Sequence, residues 1–432
     1  MKRRTFLVNA ARVAGLGALS GTGALLATAQ AGAPSVPVPL PHTLQPGAPV
    51  AIAESFGPGH LDKLADLIAD AVLDFAITAD PWTEGEVDVW FSPGHVVVGG
   101  FLENGHIDAS DVQGAVHDVL REVSDAGTLF GVEPDRYEVR VTLRRSTHDI
   151  CRLADPAAWS RGVANSFGCA TDETPERLPL ATALAQRLGR RLVALHQDGQ
   201  LPEFCPPQRA VVAVSPFTEM AAPLASVVLD VPRHPDVRLF DAMDRLVDAV
   251  IRPALGDHLH RGTRLFINAP VSADWGLQTG ASGRCPAADT YGGQSAWAES
   301  RLAGQGPTNG PRLGAYAARY VAHHVVAAGL ARRCAVNLVY AQGHDEPVTV
   351  QVDTQGTGAA PDPVVAAVVQ EAFDLRVAGL VEQFGLRRPI YRQTAIGGHF
   401  GRPEPDFAWE RLDGVDALRA ALADREEVRH VG

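Results

Sequence analysis

One pattern recurs three times along this chain of 432 residues and limits the folds that it can adopt. Apolar residues at helical spacing are followed by two short runs with strand character and then by a second helical run. In the first copy the helix begins at Leu61, and the strands cover residues 87–91 and 95–98. Such a repeat predicts an α+β fold of three pseudo-symmetric lobes, each with helices packed on a sheet.

The remaining predicted elements keep this order. The predicted helices cover residues 111–123, 180–195, 237–255, 315–330 and 363–372. The predicted strands cover residues 137–143, 210–214, 226–231, 264–268, 335–341 and 348–353. The predicted lobes are residues 50–150, 158–268 and 270–411, followed by a tail at 412–432.

The first predicted helix carries an acidic stripe. Asp62, Asp66, Asp70 and Asp74 are four residues apart and therefore lie on one face of the helix. Such a stripe is more often a solvated face than a metal cluster, so we predict that Asp66, Asp70 and Asp74 face water.

The N-terminal segment has the character of an export signal. Arg3-Arg4-Thr5-Phe6-Leu7 is followed by a weakly apolar run and by Ala29-Gln30-Ala31, which suits signal peptidase. We predict a twin-arginine-type signal at 1–31 and a Pro-rich spacer at 32–49, and hence a periplasmic or extracellular protein. A cytoplasmic protein is the alternative.

Composition excludes several classes of protein. The net charge is −12 and no basic stripe is present, which argues against a nucleic-acid partner. No segment after the signal has the ~20 apolar residues that a membrane span needs. The five cysteines lie far apart, which favours isolated core residues over a zinc site or a redox dithiol.

Five motifs, in order, resemble those of the S-adenosylmethionine synthetase family. They are Glu54-Ser55 through Gly59-His60-Leu61-Asp62-Lys63, residues 167–174 (FGCATDET), 289–293 (DTYGG), 315–322 (AYAARYVA) and 398–402 (GHFGR). The resemblance covers almost everything after residue 49 and implies the family's fold of three α+β lobes. It implies transfer of the adenosyl group of ATP to methionine, with hydrolysis of the triphosphate and with Mg²⁺ and K⁺ as cofactors. It also implies a homo-oligomer with active sites between paired subunits.

The resemblance also implies roles for individual residues. His60 matches the histidine beside the triphosphate, and Lys63, the sole lysine after the signal, belongs to the same motif. The other implied residues are Asp62 as a magnesium ligand, Asp88 where the family has a potassium-binding Glu, Arg209 and Arg284 as phosphate contacts, and Glu54 and Asp274 as substrate-binding residues.

Other positions depart from the family pattern. The family's Gly-rich gate is replaced by residues 159–165, and its methionine-side Glu by Phe101. Gln305 and Asn309 stand where the family has two phosphate-binding lysines, and Pro311 stands where it has a metal-binding Asp. The segment between residues 268 and 274 is also shorter than the family's. Because neutral groups bind anions more weakly than charged ones, we expect reduced or substrate-shifted activity.

Two alternatives to an adenosyltransferase follow from these departures. One is a metal-dependent phosphohydrolase that uses the remaining half-site around His60 on ATP or another phosphorylated small molecule. The other is a non-catalytic protein that binds a nucleotide or an anion, or that acts as a scaffold.

Overall fold

The computed structural model describes residues 51–103, 107–125, 133–146, 160–204, 209–214, 224–234, 236–268, 279–297 and 301–431. The predicted signal, the predicted spacer and Asp274 lie outside the described residues. None of the helices in these ranges has the length and apolar character that crossing a bilayer requires.

The predicted elements appear in the predicted α+β order. The structure adds strands at 51–55, 144–146, 164–171 and 280–281 and helices at 286–289, 377–384 and 415–431 that were not predicted. The strands are β1 (Ala51–Ser55), β2 (Glu84–Ser92), β3 (His95–Glu103), β4 (Glu138–Val141), β5 (Arg144–Ser146), β6 (Ala164–Thr171), β7 (Arg209–Val214), β8 (Leu224–Asp230), β9 (Arg264–Asn268), β10 (Gly280–Ala281), β11 (Arg333–Tyr340) and β12 (Pro347–Asp353). The helices are α1 (Leu61–Ala79), α2 (Ala109–Asp125), α3 (Leu180–Gln197), α4 (Leu239–Leu246), α5 (Arg252–Leu255), α6 (Pro286–Asp289), α7 (Gly310–Ala327), α8 (Asp362–Ala372), α9 (Val377–Phe384) and α10 (Val415–Val431).

The strands of the described residues form three sheets, and each sheet includes a strand from a different third of the chain. Strand β1 pairs with β7 and extends the sheet of β8 and β9. Strand β6 pairs along its whole length with β11, which also pairs with β12. Strand β10 pairs with β2 and extends the sheet of β3, β4 and β5. Each predicted lobe therefore gives one strand to another lobe's sheet, and the predicted lobe boundaries stay a prediction.

The buried apolar residues form two clusters. One cluster joins the first and last thirds of the chain, for example Ile68 of α1, Val98 of β3 and Tyr316 of α7. The other lies between α3 and the sheet that contains β7, with Leu184 and Val212 among its members. The middle sheet thus has its own core, whereas the outer two sheets share one.

Two predicted helices differ from the structure, one by an internal interruption and one at its start, and proline explains both differences. The helix predicted at 237–255 is interrupted by a π-helical turn, Val247–Ile251, directly before α5. Pro253 cannot donate a backbone hydrogen bond, which disturbs regular helical bonding one turn earlier. The helix predicted from residue 315 begins at Gly310, because Pro311 suits the first helical turn.

The prediction that the acidic stripe of α1 faces water was wrong. Asp66 and Asp70 are fully buried. Their carboxylates accept backbone N–H groups of Gly283 and Gly304, each at 2.7 Å, while Asp74 accepts those of residues 391 and 392. The stripe is buried because it satisfies backbone groups of distant loops, and burial without such partners would be costly.

Candidate active site at the start of helix α1

The first turn of α1 lies against β10, and a glycine permits this approach. A side chain at Gly280 would place its Cβ 2.3 Å from the carbonyl oxygen of Leu61. Because that space is free, the backbone N–H of Ala281 donates to Asp62 Oδ1 at 2.8 Å. The carboxylate of Asp62 is therefore fixed at the point where α1 begins.

His60 and Asp62 face each other beside solvent. Asp62 Oδ2 lies 3.9 Å from His60 Nδ1, and the two side chains are 28% and 16% exposed. Burial lowers the pKa of His60, and the neighbouring cations Lys63 and Arg209 act in the same direction against the opposing effect of Asp62. The imidazole is therefore neutral at pH 7 and has one N–H to donate.

Arg284 and Cys285 complete this group of side chains. The Nη1 atom of Arg284 lies 3.7 Å from Asp62 Oδ1. Donor atoms of His60, Asp62 and Cys285 all lie within 4.8 Å of one another. Mg²⁺ prefers oxygen ligands and commonly takes one or two carboxylates together with substrate phosphates, so Asp62 fits that role. Nitrogen and sulfur ligands suit softer metals such as Zn²⁺ better.

Glu54 and Arg209 meet across the β1–β7 pair. Arg209 donates through Nε to Glu54 Oε2 at 3.0 Å, and its Nη2 contacts the same oxygen. Its guanidinium lies 5.5 Å from the centre of the Phe56 ring, which is in turn 4.5 Å from the ring of His60. Phe56 therefore connects this ion pair to the group around His60.

Lys63 points into the protein. Its Nζ donates to Asp66 at 2.8 Å and to Asp289 at 2.5 Å, and the side chain is 1% exposed. Burial alone would lower the pKa of Lys63, but the two carboxylates outweigh it and raise the pKa. The ammonium thus remains charged within a buried ion pair.

Asp88 has a cationic partner of its own. Its Oδ1 lies 2.5 Å from Nη1 of Arg301. Glu86, two residues earlier on β2, accepts a hydrogen bond from the side chain of Asn309 at 3.0 Å. Gln305 and Asn309, which replace the family's lysines, are both buried.

The structure thus places the predicted site residues in three groups. His60, Asp62 and Arg284 converge directly, and Glu54 with Arg209 adjoins them through Phe56. Lys63 is buried between Asp66 and Asp289, and Asp88 is paired with Arg301. The functional roles that the resemblance assigns to these residues stay predictions, and Asp274 is outside the described residues.

Sequence reasoning missed Cys285 and Arg301. The cysteine directly follows Arg284, so its place in the chain was a usable signal. The prediction that cysteines are isolated core residues fits Cys169 and Cys334, which are buried and free, whereas Cys285 is buried beside His60 and Asp62. Arg301 precedes the altered phosphate-binding segment, and nothing in the sequence indicates that it pairs with Asp88.

Comparisons with known proteins agree with these motifs. Family models for the N-terminal, central and C-terminal domains of S-adenosylmethionine synthetase match residues 49–147, 161–272 and 273–411. S-adenosylmethionine synthase 1 of Frankia casuarinae is 39% identical over 403 residues, covering 86% of this chain and 98% of the relative. S-adenosylmethionine synthase of Desulforudis audaxviator is 35% identical over 387 residues, covering 85% of this chain and 97% of the relative.

Proposed function

The chain belongs to the S-adenosylmethionine synthetase family, and from this premise we propose that it is a methionine adenosyltransferase. In the proposed reaction the methionine sulfur forms a bond to the ribose C5′ of ATP while the bond from C5′ to the triphosphate oxygen breaks. The triphosphate is then hydrolysed to phosphate and diphosphate. The observation that carries the proposal is the convergence of His60, Asp62 and Arg284 beside solvent at the start of α1.

The proposed site suits an anionic leaving group. Negative charge develops on the triphosphate oxygen as the bond to C5′ breaks, and prearranged donors stabilise such charge. The guanidiniums of Arg284 and Arg209 are half exposed and close to His60, so both are placed to donate to phosphate oxygens. The neutral imidazole of His60 supplies a further N–H, and the N-terminus of α1 adds a favourable dipole.

A divalent cation belongs to the same proposal. Asp62 would hold Mg²⁺ together with phosphate oxygens of ATP. When bound, the ion neutralises part of the triphosphate charge and orients the leaving group. The fixed hydrogen bond from Ala281 to Oδ1 leaves Oδ2 of Asp62 as the oxygen closer to His60.

An assay with ATP, methionine, Mg²⁺ and K⁺ tests the proposal and separates it from its alternatives. We expect S-adenosylmethionine to form together with phosphate and diphosphate. Phosphate release without S-adenosylmethionine would instead support the phosphohydrolase, and the absence of both products would support a binding protein or scaffold.

A pair of variants tests the role of His60. We expect His60→Ala to lower turnover by about 10²-fold or more, which is typical for the loss of one such donor. His95→Ala is the matched control, because His95 is 52% exposed at the start of β3 and lies outside the site. Equal turnover in the two variants would remove His60 from the proposed mechanism.

Export and self-association extend the proposal. We propose that the twin-arginine-type signal at 1–31 exports the folded chain, so that nucleotide can be acquired before export. Replacing Arg3 and Arg4 by lysine should retain the protein in the cytoplasm, which cell fractionation would show.

The homo-oligomer implied by the family is tested by sedimentation velocity.

A further inference from the structure

Arg301 occupies the position at which the family resemblance expects a monovalent cation. Its Nη1 lies 2.5 Å from Oδ1 of Asp88, and its Nη2 lies 3.8 Å from Oε2 of Glu86. The two carboxylates are two residues apart on β2 and therefore lie on the same face of the strand. One guanidinium thus approaches both of these carboxylates.

The position of Arg301 is fixed by packing. Its side chain is 17% exposed, although Asp88 is 54% exposed. The stem lies against Gly283, where a Cβ would come within 2.4 Å of the Cβ of Arg301. Gly283 also has a φ of +78°, which residues with a side chain rarely adopt. Both the clash and this φ therefore disfavour a larger residue at position 283. The guanidinium therefore loses little additional freedom when it pairs with Asp88.

The segment after Arg301 is held against the same strand. The backbone N–H of Val87 donates to Gly304 at 2.8 Å, and that of Gly306 donates to Gly85 at 2.9 Å. Asn309 donates to Glu86 Oε1. The segment that contains the altered positions Gln305 and Asn309 therefore lies along β2. The Arg301–Asp88 pair holds the N-terminal end of this segment.

The potassium ion implied by the family does not fit these residues. A potassium ion at Asp88 would bind the same carboxylate whose Oδ1 already contacts a guanidinium nitrogen of Arg301 at 2.5 Å. The guanidinium of Arg301 already neutralises this carboxylate. A potassium ion within ~4 Å of the guanidinium would therefore be repelled by it. The tethered cation also competes at a high effective concentration.

We propose that Arg301 is a built-in cation that replaces the monovalent metal ion at Asp88 and Glu86. The expected effect on turnover rests on the proposed function. The expected effect on the stability of the folded protein does not. Arg301 acts here as a positioning residue, because it contacts β2 and not the reacting atoms. The protein should then be indifferent to K⁺ in both stability and turnover.

Thermal unfolding of the purified full chain tests this inference without turnover. We compare unfolding midpoints in KCl and in tetramethylammonium chloride at equal ionic strength. The wild-type midpoint should be the same in both salts. Arg301→Ala should unfold at a lower temperature, and KCl should raise its midpoint by about 2 °C or more, because K⁺ now binds the freed carboxylates.

Two further variants separate charge at this position from general effects. Arg301→Lys retains a tethered cation and should remain indifferent to K⁺. Arg332→Ala removes an exposed arginine paired with Asp172 and should also show no K⁺ effect. A wild-type midpoint that depends on K⁺, or an Arg301→Ala midpoint that does not, would overturn the inference. The protein could form no S-adenosylmethionine in either salt while the unfolding midpoints change as expected. In that case the proposed function fails and the role of Arg301 stands.

Discussion

At the scale of single residues, burial determines what Lys63 contributes to the site. Its ammonium lies between the carboxylates of Asp66 and Asp289 and is almost fully shielded from water. Asp66 also accepts the N–H of Gly283, which directly precedes Arg284. The contacts of Lys63 therefore position the segment that carries Arg284, whereas the direct role in catalysis that its place in the family motif implies stays a prediction.

Replacing Lys63 by methionine tests this positioning role. Removing one partner of a buried ion pair leaves an uncompensated charge, so Lys63→Met should lower the free energy of unfolding by about 3–5 kcal/mol. Urea denaturation followed by circular dichroism measures the change. Adding Asp289→Asn should recover part of the loss, because one unpaired carboxylate is removed. A single variant as stable as the wild type would contradict the role.

At the scale of elements, helix α1 is a connector between distant parts of the chain. Its four aspartates bind backbone groups that lie 217 to 318 positions away in sequence. Asp70 also pairs with Arg312, and both side chains are fully buried. The carboxylate face of α1 therefore holds the loops around β10, α7 and residues 391–392.

This helix shows what the sequence predicts and what it does not. Four-residue spacing places the aspartates on one face, and the motif places His60 and Asp62 in one turn. Spacing carries no information about partners more than 200 positions away, so burial of the stripe and the Arg301–Asp88 pair were not predictable. The order of the main helices and strands was predictable, because it depends on local periodicity, whereas the exchanged strands β1, β6 and β10 were not predicted.

The packing of α7 on β6 gives a prediction for a single glycine. A Cβ at Gly168 would lie 2.0 Å from the carbonyl oxygen of Ala318, so the helix rests directly on the strand. Gly168→Ala should therefore lower the free energy of unfolding by about 1–3 kcal/mol, because the backbones must separate. Urea denaturation measures the change.

The control is a glycine whose added Cβ would meet no neighbour, in helix α2. Gly114 lies on the exposed side of α2, and a Cβ there meets no atom within 4 Å. Gly114→Ala should raise the free energy of unfolding by about 0.5–1 kcal/mol, because alanine restricts the unfolded chain. Equal effects of the two substitutions would show that α7 does not rest on β6 as described.

At the scale of the whole molecule, the exchange of strands joins the three predicted lobes in a cycle. The first third completes the middle sheet through β1, the middle third completes the last sheet through β6, and the last third completes the first sheet through β10. The repeat itself was predictable from sequence. The exchange was not, because the exchanged strands β1, β6 and β10 were not among the predicted strands, and local periodicity does not specify which distant strand a segment pairs with.

Expression of the C-terminal region alone tests this arrangement. Residues 273–411 match a complete family domain, but without β6 the sheet of β11 and β12 has only two strands. A two-stranded sheet is marginal in water, and the uncovered edge of β11 favours aggregation. Arg312 also loses Asp70. We therefore expect residues 273–431 to aggregate or to unfold without a cooperative transition, as measured by size-exclusion chromatography and thermal circular dichroism.

Coexpression of this fragment with residues 49–272 is the control, since that piece supplies both β6 and α1. The two pieces should copurify and unfold in one cooperative transition, because together they restore all three sheets and the buried Arg312–Asp70 pair. Cooperative unfolding of the isolated C-terminal fragment as a monomer would show instead that the last third is an autonomous domain. The exchanged strands would then add contacts between domains that are already folded.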